Sequence, residues 1–260
     1  MLSLRDRLVF VTGASSGIGR SCARAFAAEG ARLLLAARRL ERLRELAREL
    51  EAAHGTATHC VQMDVRVTAQ VESELGKLPA AWKEIDVLIN NAGLSRGLAT
   101  LQEGSTEDWD EMIDTNVKGL LYVTRAVLPG MLERQRGHVI NIGSIAGREV
   151  YSKGGVYCAS KYAVRALTQA LRVDLHGTPI RVSTVDPGLV ETDFSSVRFR
   201  GDEERARKVY ADTRPLTPED VADAVLFCAT RPPHATVAEL VLLASDQATA
   251  TTILRRTPPP

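Results

Sequence analysis

No stretch of this chain is apolar for long enough to cross a bilayer as a helix. Its opening, "MLSLRDRLVFVTG", lacks both the apolar core and the small-residue cleavage site of a signal peptide. No membrane partner is expected, and the expected location is the cytoplasm. Charge leans neither way: 33 Lys and Arg stand against 32 Asp and Glu, a formal net charge of +1, which argues against a nucleic-acid or anionic-surface partner. Cysteine is scarce, and Cys22, Cys60, Cys158 and Cys228 lie far apart with no CxxC pair. That spacing offers no metal site and suits reduced, buried thiols. No internal repeat or low-complexity linker interrupts the 260 residues, so a single domain over about 1–250 is expected, with a small molecule as its partner. The ending, 251–260, finishes in "RRTPPP" and reads as a loose tail.

Short apolar runs alternate with helix-period stretches. "RLVFVTG", "ARLLLAARR", "ATHCVQMDV", "IDVLINNAG", "GHVINIGS", "IRVSTVDPG" and "AELVLLAS" read as seven strands. Strands apolar on both faces and separated by helices belong in a parallel sheet covered on both sides, so the fold class is α/β, a doubly wound parallel sheet of about seven strands. Ligands of such sheets bind outside the carboxyl ends of the strands. The polar stretch at about 191–214 reads as a mobile excursion, with a short helix around "DEERARKVY".

"VTGASSGIG" follows the first strand and opens a helix, placing Gly13, Gly17 and Gly19 around Ser15, Ser16 and Ile18. Glycine permits the tight turn and the approach of a pyrophosphate, which the helix N-terminus then favours. The spacing is GxxxGxG rather than the commoner GxGxxG. At the end of the second strand, where an NAD site usually carries an acid, the chain reads Ala37, Arg38, Arg39. Guanidinium groups match a 2′-phosphate, so the cofactor read here is NADP(H). The plainer reading makes both arginines a solvated helix start paired with Glu41 or Glu45.

"YCASK" places Tyr157 and Lys161 four residues apart, on one helix face. A phenol titrates near pH 10, and a neighbouring ammonium is expected to lower that value, making the tyrosine an acid and base beside a nicotinamide. Such a pair alone occurs by chance on many helices. Ser144 ends the fifth strand thirteen residues earlier, where its hydroxyl can bond the same reacting oxygen. Asn116 lies inside a helical pattern that does not favour asparagine unless it binds something.

Taken together, TGASSGIG, the NNAG at 90–93, Asn116, Ser144, Tyr157-x-x-x-Lys161 and Asp186-Pro187-Gly188 resemble the short-chain dehydrogenase/reductase family, in order and spacing, over nearly the whole chain. The resemblance implies a Rossmann-like fold, nicotinamide-dependent hydride transfer and a tetrad of Asn116, Ser144, Tyr157 and Lys161. In it Tyr157 is acid and base, Ser144 positions the substrate oxygen, Lys161 also binds the nicotinamide ribose and Asn116 holds a relay water. It further implies that Asp64 and Val65 contact adenine, that Asn91, Ala92 and Gly93 flank the adenine-side ribose, and that Pro187, Gly188, Val190 and Thr192 hold the carboxamide side. A homotetramer through the helices carrying "LLYVTRAVLPGML" and "YAVRALTQALRVDL" is also implied, although their apolar period equally suits packing on their own sheet.

Substrate must be read from less regular parts. Arg148 and Lys153 in "GREVYSKGG", with Arg198 and Arg200 in "SSVRFRGDEE", are basic groups near the expected cleft that could grip a carboxylate. The plainer reading has Glu149, Asp202 and Glu203 neutralise them in solvent. "DLHGTPIRVSTVDPGLVETDFSSVRFRGD" and "LTPEDVADAV" resemble the NADP-dependent 3-hydroxy acid dehydrogenases acting on serine, allo-threonine and related short acids. This resemblance makes Arg198 the candidate anchor, with Arg148 and Lys153 in reserve. The rivals are an NADPH-dependent reductase of larger uncharged ketones or aldehydes, and a non-enzymatic NADP(H)-sensing protein, whose mark would be a broken tetrad.

Overall fold

A computed structural model describes residues 2–256. Seven parallel strands form one sheet: β1 (Leu8–Thr12), β2 (Arg32–Ala37), β3 (Thr58–Gln62), β4 (Val87–Asn90), β5 (Gly137–Ile142), β6 (Ile180–Pro187) and β7 (Glu239–Leu242). Their spatial order is β3-β2-β1-β4-β5-β6-β7, so the winding reverses between β1 and β4, where a crevice opens at the strand ends. Between them run α1 (Gly17–Ala28), α2 (Leu40–His54), α3 (Thr68–Gly76), α4 (Thr106–Ile113), α5 (Leu120–Glu133), α6 (Gly155–Asp174), α7 (Phe194–Arg198), α8 (Glu203–Tyr210) and α9 (Pro218–Ala229).

The alternation of side chains along each strand makes two cores. Val9, Val11, Leu33 and Leu35 face α1, α2 and α9 with Phe26, Leu46 and Val225, whereas Leu8, Phe10 and Leu34 face the opposite layer with Val71, Val123 and Met131. Every β1 residue is buried, which is why its sequence shows no polar alternation. The two central strands carry polar groups that hydrogen-bond to one another. Asn90, paired in register with Asn141, donates to Asn141 Oδ1 and to Thr124 Oγ1, and Asn141 donates to Thr168 Oγ1, each at 2.9 Å. This buried chain fixes α5 and α6 to the ends of β4 and β5, from which the crevice is built.

Beyond β5 the backbone passes Gly143, where a Cβ would overlap Asp186 Oδ1 outright. Gly143→Ala must displace that carboxylate or the turn, an overpacking cost of about 2 kcal/mol. A fall in melting temperature of about 5 °C is expected by calorimetry.

The expected loose ending begins differently. Leu254 N donates to Asp246 O, Arg256 N to Asp212 O, and the Arg256 guanidinium pairs with Asp246 at 2.7 Å. Backbone bonds and that ion pair hold the segment on the α8–α9 side as far as Arg256, apolar burial being unnecessary for this. Residues 257–260 lie outside the described residues. Among the described residues no helix is long and apolar enough to cross a membrane, and no group of acids, His or Cys could hold a metal ion. Cys22, Cys158 and Cys228 are buried and Cys60 half-buried, all unpaired.

Candidate functional site

A cavity of about 560 Å³ occupies the crevice. Gly13, Ser15, Ser16, Gly17 and Ile18 form one wall. Gly13 has φ +65, a left-handed turn suited to glycine, and α1 begins at Gly17 with no side-chain cap on its N-terminal amides. Gly19 is set apart from this wall. It is buried, and a Cβ there would strike Asn91 Nδ2 and Gly13 O, so its smallness serves packing of helix against turn. Arg38 and Arg39 line the same end. Arg39 donates to Ser15 Oγ at 3.2 Å and Ser16 Oγ at 3.0 Å rather than to Glu41 or Glu45, and Glu41 pairs with Arg44 instead. Burial and the nearby Arg42 and Arg38 push the Arg39 pKa below its ordinary value, against an opposing pull from Asp193. A dianion would relieve that crowding of like charge.

Asp64, Val65, Asn91, Ala92 and Gly93 form the next stretch of wall. Burial works to raise the Asp64 pKa, but two-pronged hydrogen bonding from Arg66, at 3.0 and 2.6 Å to Oδ2, prevails and holds it low. Asn91 donates to Thr12 O and Gly13 O, locking the β4 end to the glycine turn. Pro187, Gly188, Val190 and Thr192 line the side after β6.

Ser144, Tyr157 and Lys161 meet at the inner end of the cavity. Ser144 has extended backbone and starts a short 3-10 turn, Ile145–Gly147, its Oγ accepting from Ala146 N at 3.1 Å. Tyr157 is 9% exposed, its ring edge-on to Phe194 at 5.7 Å. Burial, then the Tyr151 phenol, push the Tyr157 pKa above its ordinary value; Arg198 and the Ser144 hydroxyl oppose the rise. Lys161 stands one helix turn from Tyr157 and lines the same cavity. Its Nζ donates to Ile142 O at 3.0 Å, and burial lowers its own pKa to about 8 against the pull of Asp186. The Ile142 carbonyl thus fixes where the ammonium sits, which sequence spacing alone cannot show.

Asn116 stands behind the wall, in a π-helical turn over Asp114–Gly119, a wide turn frequent at functional sites. Its Nδ2 donates to Leu94 O and Ser160 Oγ while Oδ1 accepts from Leu94 N at 2.8 Å, so the amide clamps the segment after β4 to α6. Both of its donor hydrogens are thereby committed to protein groups.

Of the basic candidates, Arg198 alone lines this cavity. Its guanidinium lies 5.2 Å from the Tyr157 ring centre and 5.5 Å from that of Phe194. Nε donates to Ser95 Oγ at 2.9 Å and Nη2 to Tyr151 OH at 2.7 Å. Among the described residues no carboxylate pairs with it, whereas Arg200 pairs with Asp108. Arg148 points the other way, into Asp186 and Glu239. Lys153 borders a small side pocket with Asp108 and Trp109. Buried Asp186 and half-buried Glu239 draw Arg148 inward, and Lys153 has a left-handed φ of +63.

Residues 7–203 match the family model for short chain dehydrogenases. The chain belongs to the short-chain dehydrogenase family. It is 50% identical over 244 residues to the NADP-dependent 3-hydroxy acid dehydrogenase YdfG of Salmonella typhi, covering 94% of this chain and 97% of that relative. To the NADP-dependent 3-hydroxy acid dehydrogenase of Schizosaccharomyces pombe it is 42% identical, covering 98% and 99%. The closed form of a serine dehydrogenase complexed with NADP+ superposes with a TM-score of 0.90 at 48% identity, covering 96% of this chain and all of the other.

In this short-chain dehydrogenase the residues that brace Asp64 and Arg198 escaped sequence reasoning. Arg66 fixes Asp64, and Ser95 and Tyr151 fix Arg198. Tyr151 sits in the motif "REVYSKGG", where the two charges drew attention and the phenol did not. Ser95 stands two residues after NNAG, so its nearness to a strand end was a usable signal.

Proposed function

We propose that this chain is an NADP-dependent oxidoreductase acting on the secondary alcohol or carbonyl of a short 3-hydroxy acid, such as serine, allo-threonine or 3-hydroxypropionate. The observation that carries the acid specificity is the Arg198 guanidinium, unpaired by any described carboxylate and stacked beside Tyr157 in the cavity. The named relatives support the same substrate class.

The wall residues fit the cofactor. The uncapped α1 start and the glycine turn suit a pyrophosphate, Arg38 and Arg39 suit the 2′-phosphate, and Asp64, Val65 and Asn91 to Gly93 would flank the adenosine. Pro187, Gly188, Val190 and Thr192 would hold the carboxamide side. When bound, the nicotinamide supplies or accepts the hydride. Tyr157 exchanges a proton with the substrate oxygen, Ser144 donates a hydrogen bond to that oxygen, and Lys161 orients the ribose. Asn116 keeps the Leu94 segment and α6 in place, and with both amide hydrogens committed it would meet a relay water as an acceptor, through a lone pair of Oδ1 or its main-chain carbonyl. Arg198, braced by Ser95 and Tyr151, takes the carboxylate.

The segment at about 191–214 acts as a lid in this reading. Arg96 donates to Val197 O and Gly97 N to Arg198 O, so the loop after β4 holds α7 over the cavity. Exposed Leu121 on α5, Tyr162 and Val173 on α6, and Phe227 on α9 support a homotetramer with itself, and unpaired cysteines suit the cytoplasm.

The cofactor assignment is tested by Arg38→Ala. Its Kd for NADP, by fluorescence titration, is expected to rise about tenfold or more, with NAD affinity changed by less than about twofold. Equal weakening of both would remove the phosphate clamp.

A further inference from the structure

Arg148 touches neither the cavity nor solvent alone. We propose that Arg148, clamped on Asp186 and Glu239, is a positioning residue that locks the Ser144 turn against β6 and the Lys161 segment of α6. This inference rests on the assignment of Ser144 and Lys161 to the reacting centre.

The clamp begins at Asp186, 2% exposed. Arg148 Nε lies 2.8 Å and Nη2 2.7 Å from Asp186 Oδ2, and Nη2 also reaches Glu239 Oε2 at 2.5 Å. The other oxygen of each acid is taken by a neighbour: Thr184 Oγ1 donates to Asp186 Oδ1 at 2.6 Å, and Gln169 Nε2 to Glu239 Oε1 at 2.9 Å. Arg165, 3.6 Å from Glu239, supplies a second cation. The guanidinium therefore joins β6, β7 and, through Gln169, α6.

The backbone on which Arg148 sits is the catalytic turn itself. At its start Gly143 N donates to Val185 O at 2.8 Å, and the Gly143 Cα packs directly on the Asp186 carboxylate. Near its end a Cβ at Gly147 would stand 2.6 Å from Lys161 O. Arg148 O then accepts from Tyr162 OH at 2.5 Å, one residue beyond Lys161. So the turn carrying Ser144 is pressed onto β6 at one end and onto α6 at the other, and the Arg148 side chain draws both together. Asp186 also favours the charged form of Lys161, so the carboxylate that Arg148 neutralises is felt at the reacting centre. A salt bridge that merely held strands together would duplicate the β6–β7 ladder, in which Asp186 already pairs with Val241.

The test compares Arg148→Met, Arg148→Lys and the Arg148→Met/Asp186→Asn double variant, using the alcohol that the wild-type chain oxidises fastest. Arg148→Met is expected to lose about 100-fold in kcat, as small misplacements of a reacting group do, while KM for the alcohol and Kd for NADP stay within about threefold. Arg148→Lys, which can reach one acid but not span both, regains part of the loss. The double variant removes the stranded buried charge and regains melting temperature without regaining kcat. A kcat in Arg148→Met within about threefold of wild type, or a double variant that recovers stability and kcat together, overturns the proposal. If Arg148→Met does not fold, the double and lysine variants carry the same comparison. Ser144→Ala is assayed in parallel: full activity there overturns the reading of the centre and this inference with it, whereas a loss there with intact Arg148→Met overturns this inference alone.

Discussion

Tyr157→Phe keeps NADP(H) affinity within about twofold and loses about a thousandfold in kcat, the scale expected when one acid-base group is removed. The substitution deletes a single oxygen. The ring remains edge-on to Phe194 and under Arg198, so packing and cavity shape survive. Burial raises the phenol's pKa, with Arg198 and Ser144 restraining the rise, and the sign of the pH dependence follows. The protonated form prevails below that raised value, so carbonyl reduction, which needs a proton donor, holds its rate through neutral pH. Alcohol oxidation needs the phenolate and accelerates as pH climbs toward the raised value. Stopped-flow absorbance in both directions checks this. In Tyr157→Phe the residual rate loses the alkaline acceleration, and an unchanged profile with full activity would remove Tyr157 from the chemistry.

Arg198→Ala is expected to lower kcat/KM for 3-hydroxy acids about 100-fold, the equivalent of about 3 kcal/mol for a charge-assisted contact in a partly closed site. Uncharged secondary alcohols of similar size should change by no more than about threefold. That contrast matters because the guanidinium also packs on Phe194 and Tyr151, and truncation removes those contacts too. Packing lost from the lid would slow both substrate classes equally. Arg198→Met, which keeps the stem without the charge, should match Arg198→Ala on the acids. Tyr151→Phe, which removes the phenolic brace 2.7 Å from Nη2, should show a smaller loss of the same kind.

The sheet was legible because its five inner strands are buried on both faces and read as near-continuous apolar runs; the partly exposed edge strands β3 and β7 complete the parallel order of seven. Sites at strand ends were legible for the same reason. The glycine turn and Asn91 follow their strands directly, Ser144 comes two residues after β5, Pro187 ends β6, and each stands at the crevice. What sequence could not show depends on distance across the fold. The split between Arg198, turned into the cavity, and Arg148, turned into Asp186 and Glu239, is decided by which acids lie behind the turn, and Glu239 is 91 residues away. Spacing put Tyr157 and Lys161 on one face, yet the carbonyl of Ile142 decides where the ammonium points. The π-helical turn at Asn116 shifts the register within a single turn, too local a change for a period count over a whole helix to reveal. The ending up to Arg256 is fixed by backbone bonds and an ion pair with Asp246, invisible to a reading that looks for apolar burial.

The central claim is an NADP-dependent alcohol oxidation selected by a carboxylate. It is tested most directly by following nicotinamide absorbance as the pure chain, with NADP, meets L-serine, allo-threonine and 3-hydroxypropionate alongside uncharged secondary alcohols of matched size. The account predicts turnover of the acids, with kcat/KM exceeding that of the uncharged set by about 100-fold. Equal or faster oxidation of the uncharged alcohols would contradict it and make the enzyme a general NADPH-dependent ketone reductase.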